Sequence, residues 1–445
     1  MAFLKNLFRC KLCKSRKHEL EARNTANSRV TQELQPLPTD ITNPVQPSPP
    51  YDATPLSATE IAEAYRRKVD LEMTPPEPTW KRLPLDKKLE EERNPGYRAD
   101  TWYHVHIGEV INERYQVCTK LGWGDTSTVW LAKDLRNARY VSLKVCANPN
   151  DQRLRELDFL LHITRLYSDH PGAQSVATLL DHFRVHRRGY AYLCLVTNVL
   201  GPSLAVRVRP EVRQLEIDWL KEQLYRLLQA VDFLHSEAHI VHGDIWPPNV
   251  LCAIPDRRVL QALDDLEATQ PSNRKLDGGR VIYESRAVQL TGEEEPSLLT
   301  ARAPPVLIDF GNSRLSPDAF DLEHMRFLRE SDNMRADEPY QPERDIQWIG
   351  RLFVGLLEGR ALYKKNMAKE GDCTKNKDLE GELKGEESDL RALVWRMKNI
   401  TVPKEKPASA ADEEAKEEKD IGPVLTVKGL LRDQIFLSAS FHHSW

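Results

Sequence analysis

His242-Gly243-Asp244-Ile245-Trp246-Pro247-Pro248-Asn249, followed at a distance by Asp309-Phe310-Gly311, decides how this chain is read. A carboxylate such as Asp244 can accept a hydroxyl proton, and Asn249 lies five residues further on. The side-chain oxygens of Asn249 and Asp309 are the hard donors that Mg2+ selects. An isolated Asp-Phe-Gly means little, but H-x-D-x-x-x-x-N followed by D-F-G is specific. Together they form the base-and-metal half of a phosphoryl-transfer site.

The nucleotide half lies upstream. Stretches 115–121 and 127–133 alternate in polarity and are rich in aromatic and β-branched residues, which predicts two strands. Leu121-Gly122-Trp123-Gly124 would join them in a turn whose glycines, lacking Cβ, let the backbone close over a triphosphate. Gly122 and Gly124 fill the first two places of G-x-G-x-x-G-x-V, Ser127 stands in the third, and Val129 would cover the adenine. A second turn, Asp134-Leu135-Arg136-Asn137, leads into a third strand over 140–145. Val141-Ser142-Leu143-Lys144 ends that strand with a lysine directed at the α- and β-phosphates of ATP. A helix is predicted over 152–166, and Glu156 on it is the natural ion-pair partner of Lys144. The expected catalytic set is therefore Asp244, Lys144 and Glu156. Leu121, Gly122, Gly124, Val129 and Lys144 hold the nucleotide, and Asn249 and Asp309 the metal.

Beyond Gly201 the period lengthens. Ile217, Leu220, Leu224, Leu227, Leu228, Val231 and Leu234 recur at helical spacing and run directly into His242. Ile346, Ile349, Leu352, Phe353, Leu356 and Leu357 do the same. Both stripes are expected to be core. The class implied is α+β: a small antiparallel-sheet lobe over 101–198 and a mostly helical lobe over 199–445.

The ends are of another composition. Residues 1–100 carry many prolines and little sustained apolar period, which predicts a largely disordered extension. Segment 403–420 is alanine-, lysine- and acid-rich with no apolar face, and reads as a solvated linker. Phe3, Leu4, Leu7 and Phe8 among basic residues describe a basic amphipathic tail, read as solvated rather than as a membrane contact. Cys10 and Cys13 have metal-ligand spacing but no second pair nearby. A formal net charge of −4 over 445 residues gives no reason to expect a nucleic-acid partner. Seven scattered cysteines suit a reducing compartment, cytoplasmic or nuclear. No run reaches the ~20 apolar residues a bilayer span requires.

From about Tyr103 to Tyr363 the chain resembles eukaryotic protein kinases, and among them the SR-protein-kinase-like serine/threonine kinases, especially fungal ones. The resemblance is carried by Ile107-Gly108-Glu109-Val110-Ile111-Asn112-Glu113-Arg114-Tyr115-Gln116-Val117, by Lys120-Leu121-Gly122-Trp123-Gly124, by Ser127-Thr128-Val129-Trp130-Leu131-Ala132-Lys133-Asp134 and by Asp309-Phe310-Gly311-Asn312. The long stretch between Asn249 and Asp309 is similar to that family's insert, here 254–304. It implies a bilobal fold, ATP and magnesium dependence, and protein substrates rich in Arg and Ser. It also implies Thr197 as gatekeeper, with Asn198, Val199 and Leu200 as the adenine-binding hinge.

Several departures from that pattern keep alternatives open. Trp246 stands where the catalytic loop normally has a lysine contacting the γ-phosphate. Pro342-Glu343, the candidate end of the activation segment, lies only two residues before Asp345, which resembles the start of the large C-lobe helix. Both assignments cannot hold. The substrate-side helices after Tyr363 are hard to find, with 389–397 and 427–431 as candidate remnants of a partly truncated lobe. Gly243 replaces the arginine that would meet a phosphorylated activation segment, so activity is expected not to need that phosphate. The alternatives are a pseudokinase scaffold and a small-molecule phosphotransferase.

Overall fold

The computed structural model describes residues 80–95, 97–147, 151–187, 189–204, 217–254, 256–277, 280–286, 288, 303–316, 341–370, 386–400 and 426–436. Contacts divide the chain at Ser48, and every described residue lies in the unit Pro49–Trp445.

Strand β1 (Val110–Ile111) opens an antiparallel sheet that continues through β2 (Tyr115–Gly124), β3 (Ser127–Asp134) and β4 (Arg139–Cys146). Helix α1 (Asp151–Arg165) follows, and the sheet is completed by β5 (Leu179–Arg187) and β6 (Tyr190–Thr197). The order is β1-β2-β3-β4-β6-β5, six strands where three were expected. β5 was missed because it is an edge strand, Leu-Leu-Asp-His-Phe-Arg-Val-His-Arg, mostly half-exposed and too polar to read as a strand. Its identity comes from pairing with β6 along its length.

Helix α2 (Ile217–Ser236) buries Leu220, Leu224, Leu227, Leu228, Val231 and Leu234, as its stripe requires. Three short pieces follow: β7 (Ile240–Val241), a 3-10 turn at Pro247–Asn249 and β8 (Val250–Cys252). After them the expected insert folds into α3 (Arg258–Thr269) and the hairpin β9 (Arg274–Asp277) and β10 (Arg280–Tyr283). Strand β11 (Pro305–Leu307) pairs with β8, and β12 (Arg314–Leu315) pairs with β7. Helices α4 (Glu343–Glu370), α5 (Glu386–Lys398) and α6 (Val427–Leu431) complete the described lobe. Their apolar residues, Ile349, Phe353, Leu390, Met397 and Leu430 among them, share one core with α2. Both candidate remnants are thus helices that bury one face in this core. Among the described residues no helix is long and apolar enough to cross a membrane.

The boundary drawn at residue 100 needs correction. From Trp80 the chain is packed against the sheet and the insert, with Leu83, Leu89 and Ile282 forming a small cluster. Leu83 N–H donates to the Arg274 carbonyl at 2.9 Å, and Lys120, 0% exposed on β2, is enclosed by Glu91 at 2.6 Å and Glu90 at 3.0 Å. Its ammonium also donates to the Tyr283 carbonyl at 3.0 Å. Asp86-Lys87-Lys88-Leu89-Glu90-Glu91-Glu92-Arg93 looks solvated because the partners of its acids lie elsewhere in the sequence. The N-terminal tail, the proline-rich stretch before Trp80, Cys10, Cys13 and the 403–420 linker lie outside the described residues.

Candidate active site

Register positions the nucleotide side. Lys144 on β4 lies directly opposite Val129 on β3 and Leu195 on β6. Opposed residues of an antiparallel pair share a face, so Val129 and Lys144 project together. Leu143 and Val145, with the other parity, are buried in the core of the small lobe. A Cβ built at Gly122 would meet no protein atom within 4 Å, so this side of the hairpin is open for a ligand. At the tip, Asn94 Nδ2 donates to the Asp125 carbonyl at 2.6 Å. Thr197 ends β6, and Asn198, Val199 and Leu200 lead to Gly201, whose N–H donates to the Cys252 carbonyl at 2.7 Å.

Lys144 Nζ lies 2.5 Å from Glu156 Oε1 and 3.9 Å from Asp309 Oδ2. Helix α1 delivers Glu156 because side chains on either side of it along the helix are tied to neighbouring backbone. Arg155 Nη2 donates to the Ser313 carbonyl at 2.9 Å, and His162 Nε2 lies 3.0 Å from the Ala238 carbonyl. Asp309 has a left-handed backbone, φ 66°, and caps the 3-10 turn Phe310–Asn312 by accepting from Gly311 N–H.

Asp244 and Asn249 are both buried at 6% exposure. Asn249 Nδ2 donates to the Asp244 carbonyl at 3.0 Å, leaving Oδ1 as the oxygen it can offer a cation. Asn312 Nδ2 donates to Asp244 Oδ2 at 2.9 Å, so Asp244 and the Asp309 turn are joined directly. His242 packs its ring 5.0 Å from that of Phe310 and places Nε2 3.1 Å from the Ile308 carbonyl. Asp345, in the first turn of α4, accepts from the backbone N–H of both His242 and Gly243 at 2.8 Å. Of the two competing assignments, the helix start is therefore the one that holds. Glu343 is already helical, and residues 317–340 lie outside the described ones.

Trp246 is 39% exposed and caps the turn Pro247–Asn249 without a side-chain bond. Asn312, Arg155 and Asn94 were not singled out from sequence, and Asp345 was read only as the start of a helix. Asn312 was quoted only inside a longer stretch, and nothing local marks the partner of either Asn312 or Asp345.

An antiparallel lobe and a helical lobe, with Lys144 between Glu156 and Asp309 and with Asp244 tied to the Asp309 turn through Asn312, define a protein-kinase-like fold. The protein kinase domain family matches residues 115–265. A serine/threonine protein kinase of Aspergillus fumigatus is 31% identical over 279 residues, covering 62% of this chain and 66% of its own length. Serine/threonine-protein kinase spk-1 of Caenorhabditis elegans is 31% identical over 200 residues, 44% of this chain and 20% of that protein. SRSF protein kinase 3 of Sus scrofa is 32% identical over 192 residues, 42% of this chain and 34% of that protein. Residues 115–265 thus form a protein kinase domain, and the chain, which spans just under two thirds of the fungal relative's length, is SR-protein-kinase-like.

Proposed function

We propose that this protein is an ATP- and magnesium-dependent serine/threonine protein kinase acting on Arg/Ser-rich proteins of the cytoplasm or nucleus. The reading rests on one arrangement: Lys144 between Glu156 and Asp309, with Asp244 tied to the Asp309 turn. The donor set fits magnesium. Among the described residues no three His, Cys, Asp or Glu side chains converge on a common point. Magnesium characteristically takes one or two protein oxygens and completes its shell with water and substrate phosphates. Asp309 and the Asn249 amide oxygen would supply those two. When bound, the ion neutralises charge on the phosphates.

Lys144, held by Glu156, would set the α- and β-phosphates, and the open side of Gly122 would accept the backbone's approach to the triphosphate. Leu121, Gly124, Val129, Asn198 and Leu200 would complete the nucleotide site. In the transfer a lone pair of the substrate serine oxygen forms the new bond to the γ-phosphorus. The bond from that phosphorus to the β–γ bridging oxygen breaks, and its electron pair leaves with ADP. The hydroxyl proton passes to the Asp244 carboxylate.

One observation favours a second reading, a nucleotide-binding pseudokinase. The Trp246 indole offers no cation to the transferring group, and losing one such contact costs about 10²–10³ in rate. Incubation with labelled ATP, magnesium and an Arg/Ser-rich peptide, beside Asp244→Ala, separates the two. The kinase reading expects slow incorporation that the variant abolishes. Nucleotide-dependent thermal stabilisation without incorporation would establish the pseudokinase instead.

A further inference from the structure

We propose that Asn312 is the positioning residue of the catalytic base: its side-chain amide orients the Asp244 carboxylate in a loop that lacks the usual lysine. The proposal deepens the kinase reading and rests on it. The indole at 246 carries a single N–H and no charge, so it cannot supply a lysine's polar restraint. Asn312 Nδ2 donates to Asp244 Oδ2 at 2.9 Å across 68 residues of sequence. A hydrogen bond to one of its oxygens restricts the rotation of the carboxylate. That is what in-line transfer asks of the group receiving the proton.

The turn that carries the donor is itself held by short contacts. Asn312 is the last residue of the turn that Asp309 caps, so a single turn carries the Asp309 carboxylate at one end and the restraint on the base at the other. Ser313, next in sequence, donates N–H to the Phe310 carbonyl at 3.1 Å and Oγ to the His242 carbonyl at 3.2 Å. Its own carbonyl receives Arg155 from α1. The spacing of Asp309 from Asp244 is thus set by short contacts rather than by the flexible chain between them.

Gly243 completes the clamp. It has φ 73°, and a Cβ there would lie 2.9 Å from the Asn312 carbonyl oxygen. The residue before the base must therefore be small for Asn312 to come this close. The same substitution that removes the arginine of other kinases lets the amide approach. Position 243 and position 312 act as a pair.

The test uses the full chain with the Arg/Ser-rich peptide. Asn312→Leu keeps volume and removes the donor, and kcat is expected to fall at least about tenfold. KM for ATP and the thermal midpoint should hold, because the nucleotide contacts and the turn's backbone bonds remain. Asn312→Asp, facing one carboxylate with another, should fall further, and Asn312→Gln should recover part of the loss. Gly243→Ala should lower kcat by displacing Asn312, and the double variant with Asn312→Leu should be no slower than the slower single. An unchanged kcat in Asn312→Leu overturns the proposal, as does a loss that appears equally in ATP KM and thermal midpoint. Wild-type protein that transfers nothing refutes the kinase reading instead. In that event the Asn312 side-chain 15N amide resonance decides: displacement by Asp244→Ala sustains the positioning contact, and an unmoved signal ends it.

Discussion

The carboxylate of Asp345 accepts the backbone N–H of Gly243 at 2.8 Å, 102 residues away in sequence. Its second oxygen takes the N–H of His242 at 2.8 Å and lies 3.0 Å from His235 Nε2. With Asp345 at 0% exposure, the His242–Asn249 loop hangs from the buried start of α4. Asp345→Asn would turn an amide N–H toward a backbone N–H and strand donors in the core. We expect a loss of about 3 kcal/mol, read by denaturant melts, together with loss of peptide phosphorylation.

Trp246→Lys places a cation on the loop two residues after Asp244. If charge at the γ-phosphate limits the wild-type rate, single-turnover transfer should rise by as much as about 10²–10³. An unchanged rate would show that the missing cation is not what slows this chain.

Glu109 is held by its backbone, its carbonyl accepting Val117 N–H at 2.9 Å, while Oε1 finds no hydrogen-bond partner. Burial pushes its carboxyl up from 4.5 to about 7, only partly opposed by the His106 backbone and Arg187. Folding therefore takes up a proton between those values. The stabilisation is full below pH 4.5 and is lost as pH rises to about 7. Glu109→Gln should flatten this slope and raise the thermal midpoint at pH 8, while leaving it nearly unchanged at pH 5.

The enclosed ammonium of Lys120 couples the Glu90–Arg93 turn to β2, two residues before Gly122. Glu91→Ala removes the nearer of two carboxylates from a lysine that water does not reach. Breaking such a pair costs about 3–5 kcal/mol. We expect a lower denaturation midpoint and faster proteolysis around residue 95. Lys120→Met, which replaces the charge with an apolar chain of similar length, orphans the two acids and should be destabilising too.

Gly350 on α4 faces α5 so closely that a Cβ would lie 2.3 Å from Lys398 N. Gly350→Ala must part the two helices or bend one, and should cost more than about 3 kcal/mol. Loss of the urea unfolding midpoint without change in slope would match this account.

How much of this was legible depended on how far each residue's meaning travels. Gly122, Lys144, Asp244, Asn249 and Asp309 could be proposed from local strings, because phosphoryl-transfer chemistry requires those residue types at those spacings. The stripes of α2 and α4 could be found because a buried helical face must repeat every three to four residues. The polar edge strand β5 and the packed segment from Trp80 could not. Their stabilising partners, β6 for the one and Lys120, Lys275 and Arg274 for the other, leave no periodic mark in either stretch.

The amino-acid order alone thus determined the class of chemistry expected of this chain and the faces it buries, since both are written in short-range spacing. Only the tertiary structure decided that Asn312 meets Asp244, that Asp345 holds the loop, and that a charged segment near residue 90 encloses a lysine of the sheet. Hydrogen bonds and buried ion pairs are short-ranged in space and indifferent to distance along the chain, so folding has to bring their ends together before either residue has a role.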